Sequence, residues 1–102
     1  MNTDFRERDP VLRLLPPDVP DAFLNLTPEE QGERGRYWLM MFGAGFEPDH
    51  AWAHVLRDDH LPEVVAKMRA QLALVPDDHI PLMVKGRMDY ERGKAMVGEA
   101  VQ

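Results

Sequence analysis

The sequence predicts an all-α fold, a small bundle of about four short helices preceded by an extended, proline-rich N-terminal arm. A proline followed by an acidic residue recurs at Pro28, Pro48 and Pro62, each before apolar residues at helical spacing. Proline suits the first position of a helix, where its missing N–H has no intrahelical partner, and nearby acidic side chains meet the positive end of the helix dipole. The length of 102 residues corresponds to a single domain of common size.

Local signals place the helices along the chain. Thr27 and Glu30 form a capping-box pattern around Pro28, which predicts a first helix over residues 28–42. The second helix is predicted over residues 48–58, and the third, with the cleanest periodicity, over residues 62–75. The core is expected to contain one apolar set from these three helices, namely Trp38, Met41, Phe42, Trp52, Leu56, Val65, Met68 and Leu72.

The C-terminal segment is less regular. Residues 81–101 are predicted to be mostly helical, either as one helix or as a helix broken near Gly86. Gly86, Gly93 and Gly98 each cost roughly 1 kcal/mol relative to alanine in a helix interior. The alternative is a short extended piece over residues 80–84, followed by a helix that is capped by Asp89.

Residues 1–26 form the predicted arm, and residues 27–102 form the helical domain. Four prolines between residues 10 and 20 exclude a long helix. The arm is nevertheless too apolar to be a free linker. We expect it to pack either on its own helices or on another chain, through the apolar residues Leu12, Leu14, Leu15, Phe23 and Leu24.

The chain contains no serine and no cysteine, and threonine occurs only at Thr3 and Thr27. Covalent catalysis by an activated hydroxyl or thiol needs one of these groups beside a base. Acyl-enzyme chemistry, disulfide redox chemistry and thiolate–metal sites are therefore excluded. We expect a protein that is not an enzyme and that carries no cofactor.

His50 and His54 are the best metal-ligand candidates, because a spacing of four residues on a helix can bring two imidazoles to one metal. They lie opposite Trp52 and Leu56, so they are expected to face water. Ala51 stands where a zinc hydrolase would carry its glutamate. A metal-dependent protein that uses His50 and His54 therefore stays an alternative, and no metal is predicted.

A helix–turn–helix DNA-binding regulator is a second alternative, because residues 59–61 join the second and third predicted helices with a connection of suitable length. Residues 62–65, however, would present an acid and aliphatic side chains to the bases. The net charge is −6, and residues 1–63 hold thirteen acids against six bases. This acidic surface disfavours nucleic acid as a partner.

Six internal methionines are many for this length, and Met83, Met88 and Met96 do not share one face of a straight helix. Methionine is over-used on adaptable binding surfaces. The sequence therefore predicts a non-enzymatic protein–protein interaction module, such as an accessory subunit, an assembly chaperone or a phage-type inhibitor. The partner is expected to be another protein or a second copy in a homodimer. Its contacts are predicted on the arm residues given above and on Met83 and Met88.

The setting of the protein is expected to be cytoplasmic. The longest apolar stretch, residues 37–46, is about half the ~20 residues that a membrane span needs. The first ten residues lack the apolar run of a secretory signal. Nine arginines against three lysines indicate a GC-rich bacterial or phage source.

Overall fold

A computed structural model describes residues 2–101 of the chain, with side chains described as far as Lys94. More than half of the chain is helical, and residues 2–101 contain no strand, so the all-α prediction is confirmed. The elements are α1 (Phe5–Arg8), a 3₁₀ helix (Pro10–Leu14), α2 (Asp21–Leu24), α3 (Pro28–Gly43), α4 (Pro48–Val55), α5 (Pro62–Leu74) and α6 (Ile80–Val101).

The three proline signals mark helix starts correctly. α3, α4 and α5 begin at Pro28, Pro48 and Pro62, and the capping box of Thr27 and Glu30 is formed in both directions. The prolines leave no intrahelical hydrogen bond unmade at these positions. Local chemistry therefore determines where the central helices begin.

α4 ends at Val55, so the prediction that it continues to residue 58 is wrong. Two side chains take the carbonyls that a further turn would have used. His60 Nε2 donates to the carbonyl of His54 at 2.6 Å, and Arg34 Nη1 donates to the carbonyl of Val55 at 2.9 Å. Once these terminal carbonyls have partners, the helix can stop without unsatisfied polar groups.

α6 is one continuous helix, so the alternative of an extended piece over residues 80–84 with a cap at Asp89 is wrong, and no break occurs near Gly86. Ile80 and Val84 lie one helical turn apart and are both buried against the core. Packing of this face outweighs the cost of glycine in the helix.

The N-terminal arm is not the extended strip that the prolines suggest. It folds into the three short turns α1, the 3₁₀ helix and α2. Its apolar residues enter the core that the later helices share, with Phe5, Leu12, Leu15 and Phe23 buried. The prolines at positions 10 and 20 stand at or just before the starts of short turns, where a missing N–H is tolerated.

A buried polar contact fastens the arm to α3. The side chain of Gln31 is fully buried, and its Nε2 donates to the carbonyls of Asn2 at 2.8 Å and Phe23 at 3.1 Å. Arg8 donates to Gln31 Oε1 at 2.7 Å. Because a buried amide without partners would be costly, these bonds also select the path of the arm.

Two glycines of α3 allow close approach of neighbouring elements, Gly35 in the middle of the helix and Gly43 at its end. A Cβ added at Gly35 would lie 2.5 Å from Leu12 Cδ2, so the arm packs directly on the helix backbone there. A Cβ at Gly43 would lie 2.9 Å from Met83 Cβ and 3.2 Å from Met83 backbone atoms. The missing side chains thus fix how closely the arm and α6 approach α3.

Four of the predicted core residues are buried as expected, namely Trp38, Met41, Trp52 and Met68. The other four are only partly buried, namely Phe42, Leu56, Val65 and Leu72. The core also contains residues outside the predicted set, chiefly Phe5, Leu12, Leu15, Phe23, Leu39, Val55, Ile80 and Val84. The arm and α6 therefore supply core positions that the sequence analysis assigned to residues of α4 and α5.

Arg87 closes the C-terminal end of α3. Its Nη1 donates to the carbonyls of Phe42 at 2.7 Å and Phe46 at 2.8 Å, and its guanidinium lies 4.7 Å from the centroid of the Phe42 ring. Glu91 accepts from its Nε at 2.9 Å. A buried cation is tolerated here because carbonyls, a carboxylate and an aromatic face all compensate it.

None of the helices within the described residues is long and apolar enough to cross a membrane.

We expect Gly43→Ala to destabilise the protein by about 1–3 kcal/mol, because the new methyl group would lie only 2.9 Å from Met83 Cβ and 3.2 Å from the backbone of Met83. Gly86→Ala is the matched control, since no atom lies within 4 Å of the position its Cβ would take. That variant should gain up to about 1 kcal/mol from helix propensity. Urea unfolding measures both, and equal effects of the two variants would contradict the close packing at Gly43.

Deletion of residues 2–26 should abolish cooperative unfolding or cause aggregation, because it uncovers Gly35 and removes Phe23 from the ring of Trp52. Circular dichroism during heating and size-exclusion chromatography measure the outcome. A truncated chain that stays monomeric with an unchanged melting curve would show that the arm contributes nothing to the core.

Candidate functional site

An open groove lies between the C-terminal half of α3, the length of α4, the end of α5 and the start of α6. Its volume is about 560 Å³, within the range of ligand-binding clefts. We name it the Met–His groove. It is lined by Tyr37, Met40, Met41, Ala44, Phe46, His50, His54, Gln71, Leu74, Val75 and Met83.

The groove exists because α5 packs loosely. Met68 is its one buried residue within the described side chains, and the helix packs on α3 rather than on α4. On the other side, Gly45, with a φ of 110°, reverses the chain tightly so that α4 returns alongside α3. α4 and α5 therefore each pack on α3 without packing closely on each other, and the space between them stays open.

The lining is mostly apolar. It contains no Lys, Arg, Asp or Glu, and three methionines face the cavity, Met40, Met41 and Met83. Methionine side chains are flexible and polarisable, so they adapt to apolar partners of different shape. The polar groups that remain are those of Tyr37, Gln71 and the two histidines.

The histidines form one wall by stacking on aromatic neighbours. The ring of His54 stacks on Tyr37 with centroids 6.0 Å apart, and the ring of His50 stacks on Phe46 at the same distance. His60 meets the ring of His54 edge-on at 4.9 Å. These contacts orient both imidazoles along the groove, with His54 half-buried and His50 exposed.

The pKa of His54 is lowered from its ordinary value. Burial is the largest cause, because it penalises the charged imidazolium. The positive charges of His60, Arg57, His50 and Arg34 act in the same direction. The groove therefore favours a neutral imidazole on this wall.

His50 and His54 were expected to face water, and only His50 is exposed; His54 is half-buried in the groove. The third ligand that a metal would need is not supplied nearby. Within the described residues, no three His, Cys, Asp or Glu side chains are grouped so that they could hold a metal ion.

The arm residues that the sequence assigns to a partner lie in different environments. Leu12, Leu15 and Phe23 are buried in this chain's own core and do not form a free surface. Leu14 is exposed, and Leu24 is half-buried against the core. The arm therefore does not present these five side chains together.

The two methionines that were predicted to contact a partner, Met83 and Met88, also lie in different environments. Met83 lines the groove, whereas Met88 lies outside it on α6 and is 53% exposed. The side chain of Met96 falls outside the described residues.

The sequence interpretation missed Tyr37, Met40, Phe46 and Leu74 as groove residues. One signal was available, because the last turns of α3 are apolar nearly all round, which requires partners on more than one side.

The geometry gives no support to the helix–turn–helix alternative. α4 and α5 both pack on α3 and do not form a helix pair. Their connection spans residues 56–61, which is longer than the three or four residues of such a turn.

His54→Gln should weaken the pH dependence of stability. Because the pKa of His54 is lower in the folded chain than the ordinary value of about 6.5, the unfolded chain takes up its proton first as the pH falls. Stability should therefore decrease below about pH 6.5 in the wild-type protein, until the folded form is protonated too.

Urea midpoints at about pH 7.5 and 5.5 test this linkage. The His54→Gln variant should show a smaller decrease between the two pH values than the wild type. His79→Gln, which removes an exposed histidine from the turn before α6, is the control. The same decrease in the wild type and in His54→Gln would contradict the assignment.

No protein family model, curated protein or solved structure gives a significant match to this chain. The geometry and chemistry of the Met–His groove are therefore the basis for assigning a function.

Proposed function

We propose that the protein is a non-enzymatic protein–protein interaction module that binds an apolar helical segment of another protein in the Met–His groove. The observation that carries this proposal is the open, mostly apolar groove, which has no Lys, Arg, Asp or Glu in its lining and has large apolar side chains on its rim. Leu74 is 82% exposed and Phe46 is 44% exposed, and both line the cavity.

Exposed apolar side chains next to an apolar cavity favour a binding partner. Covering a large apolar side chain fully is worth about 1.5–3 kcal/mol, and contiguous exposed apolar patches commonly mark interaction sites. The volume of about 560 Å³ suits several side chains from one face of a helix. In the helix-in-groove mode, residues at i, i+3, i+4 and i+7 provide such a face.

The chemistry of the lining supports binding more than catalysis. The chain has no serine or cysteine nucleophile, and the groove residues include no carboxylate that could work as a general acid or base beside a histidine. Tyr37, His50 and His54 are its titratable groups, and their rings stack on aromatic neighbours. Stacked rings offer flat contact surfaces to an apolar partner.

In this proposal the N-terminal arm has a structural role, since its large apolar residues complete the core. An accessory subunit, an assembly chaperone or an inhibitor could each use one groove on a small rigid scaffold. Met88 offers a second contact point on α6, outside the groove.

Helical peptides selected by display against the wild-type protein test the proposal. Phe46→Gln and Leu74→Gln should each weaken their binding by roughly tenfold or more, because each variant removes an apolar contact from the groove. Leu82→Gln is the matched control, since Leu82 is 67% exposed and lies outside the Met–His groove.

The three variants should unfold within about 0.5 kcal/mol of the wild type, as exposed positions usually do. Binding is measured by isothermal titration calorimetry. An equal loss in all three variants, or none in Phe46→Gln and Leu74→Gln, would reject the groove as the binding site.

A further inference from the structure

The ends of the elements around the Met–His groove carry excess negative charge. Residues 47–60, which contain α4, hold four carboxylates and one arginine. Asp77 and Asp78 follow α5 in the turn that leads to Met83. Acidic residues therefore lie close in sequence to the lining residues, both in the segment that contains α4 and in the turn before α6.

Most of the nearby arginines are already neutralised. Arg57 pairs with Asp59 at 2.9 Å, Arg36 pairs with Asp77 at 2.9 Å, and Arg69 pairs with Glu33 at 3.1 Å. Arg34, whose Nη1 donates to the carbonyl of Val55 and whose charge acts on His54, has no carboxylate partner among the described side chains.

Three exposed carboxylates remain without an ion pair among the described side chains, those of Asp49, Asp58 and Asp78. Lys67, one turn before Gln71 on α5, is a nearby exposed base. With Arg34 and Lys67 as the two unpaired bases against these three carboxylates, the balance is negative by one charge, the same sign as the net charge of −6 for the whole chain.

We propose that the segment bound in the groove is a basic amphipathic helix, with apolar side chains on one face and Lys or Arg on the flanks. This inference rests on the proposed function and names the kind of partner. The apolar face would contact Met40, Met83 and Leu74, while the basic flanks would meet Asp49 and Asp78. Complementary charge on the rim speeds association and excludes acidic helices more than it adds affinity.

The methionines in the lining fit such a partner. Their flexible thioethers can pack against aliphatic or aromatic anchors of differing size, so the apolar floor accepts many helices. The acidic border then supplies the selection among them. In this arrangement, charge at the rim determines which helices are recognised, and the exact shape of the apolar face matters less.

Two synthetic peptides of about 18 residues test the inference, a length of five helical turns. Both carry leucine at the same i, i+3, i+4 and i+7 positions, and one has lysine where the other has glutamate. Fluorescence anisotropy of labelled peptides gives both affinities. At about 50 mM salt the lysine peptide should bind roughly tenfold tighter or better, and the ratio should fall at about 500 mM as the charges are screened.

Variants of the full chain separate the contributions. The double variant Asp49→Asn/Asp78→Asn should reduce the preference for the lysine peptide, whereas the matched control Asp18→Asn/Glu29→Gln removes two exposed carboxylates away from the groove and should leave it unchanged. Phe46→Gln and Leu74→Gln should weaken the lysine peptide at both salt concentrations.

The outcomes distinguish the inference from the function on which it rests. Equal binding of both peptides, lost in Phe46→Gln and Leu74→Gln, would keep the groove and reject the basic partner. Binding of neither peptide, or binding unaffected by the groove variants, would reject both. A concentration-dependent dimer seen by analytical ultracentrifugation and lost in the same variants would overturn the inference by making a second copy of this chain the occupant.

Discussion

The packing of Trp38 is the interaction on which the rest of the structure depends. Its ring lies between Trp52 at 5.0 Å and Phe42 at 5.2 Å, and its Nε1 donates to the carbonyl of Pro48 at 3.1 Å. The aromatic series continues from Trp52 through Phe23 to Phe5 in the arm. One continuous set of rings thus joins α3 to α4 and to the N-terminal turns, and a change at its centre affects all three.

The chain has no disulfides, and its small core contains buried polar groups that are fully hydrogen-bonded. Gln31 and Arg87 are buried near opposite ends of α3, and each satisfies carbonyls that would otherwise lack partners. Among the described residues, no buried side-chain nitrogen or oxygen lacks a hydrogen-bond partner. Because unsatisfied buried groups are costly, these two residues restrict how the arm and α6 can dock on the central helix. The positions of the arm and α6 on α3 therefore depend on these polar contacts as well as on the burial of apolar side chains.

The same arrangement leaves the Met–His groove open. The arm covers α3 at Gly35 and α6 covers it at Gly43, so the side that carries Tyr37 and Met40 is left to α4 and α5. α5 contributes little to the core beyond Met68, and its last turn therefore presents Leu74 to solvent. Elements with few buried contacts are the ones that can adjust on binding. A rigid helix on one side and a loosely held helix on the other are suited to admitting a partner segment.

The sequence by itself determined the all-α class and the starts of α3, α4 and α5, because proline, acidic residues and the capping box act within one helical turn. It also indicated Met83 as a partner contact and His50 and His54 as the best metal-ligand candidates, and all three line the groove. Only the tertiary structure decided that the arm folds into the core, that α4 stops at Val55 and that α6 continues through Gly86. These outcomes depend on contacts between distant residues, such as Leu12 on Gly35, Arg34 on Val55 and Arg87 on Phe42. The groove also depends on such contacts. It is the space between helices, and no local sequence pattern predicts how far apart the helices lie.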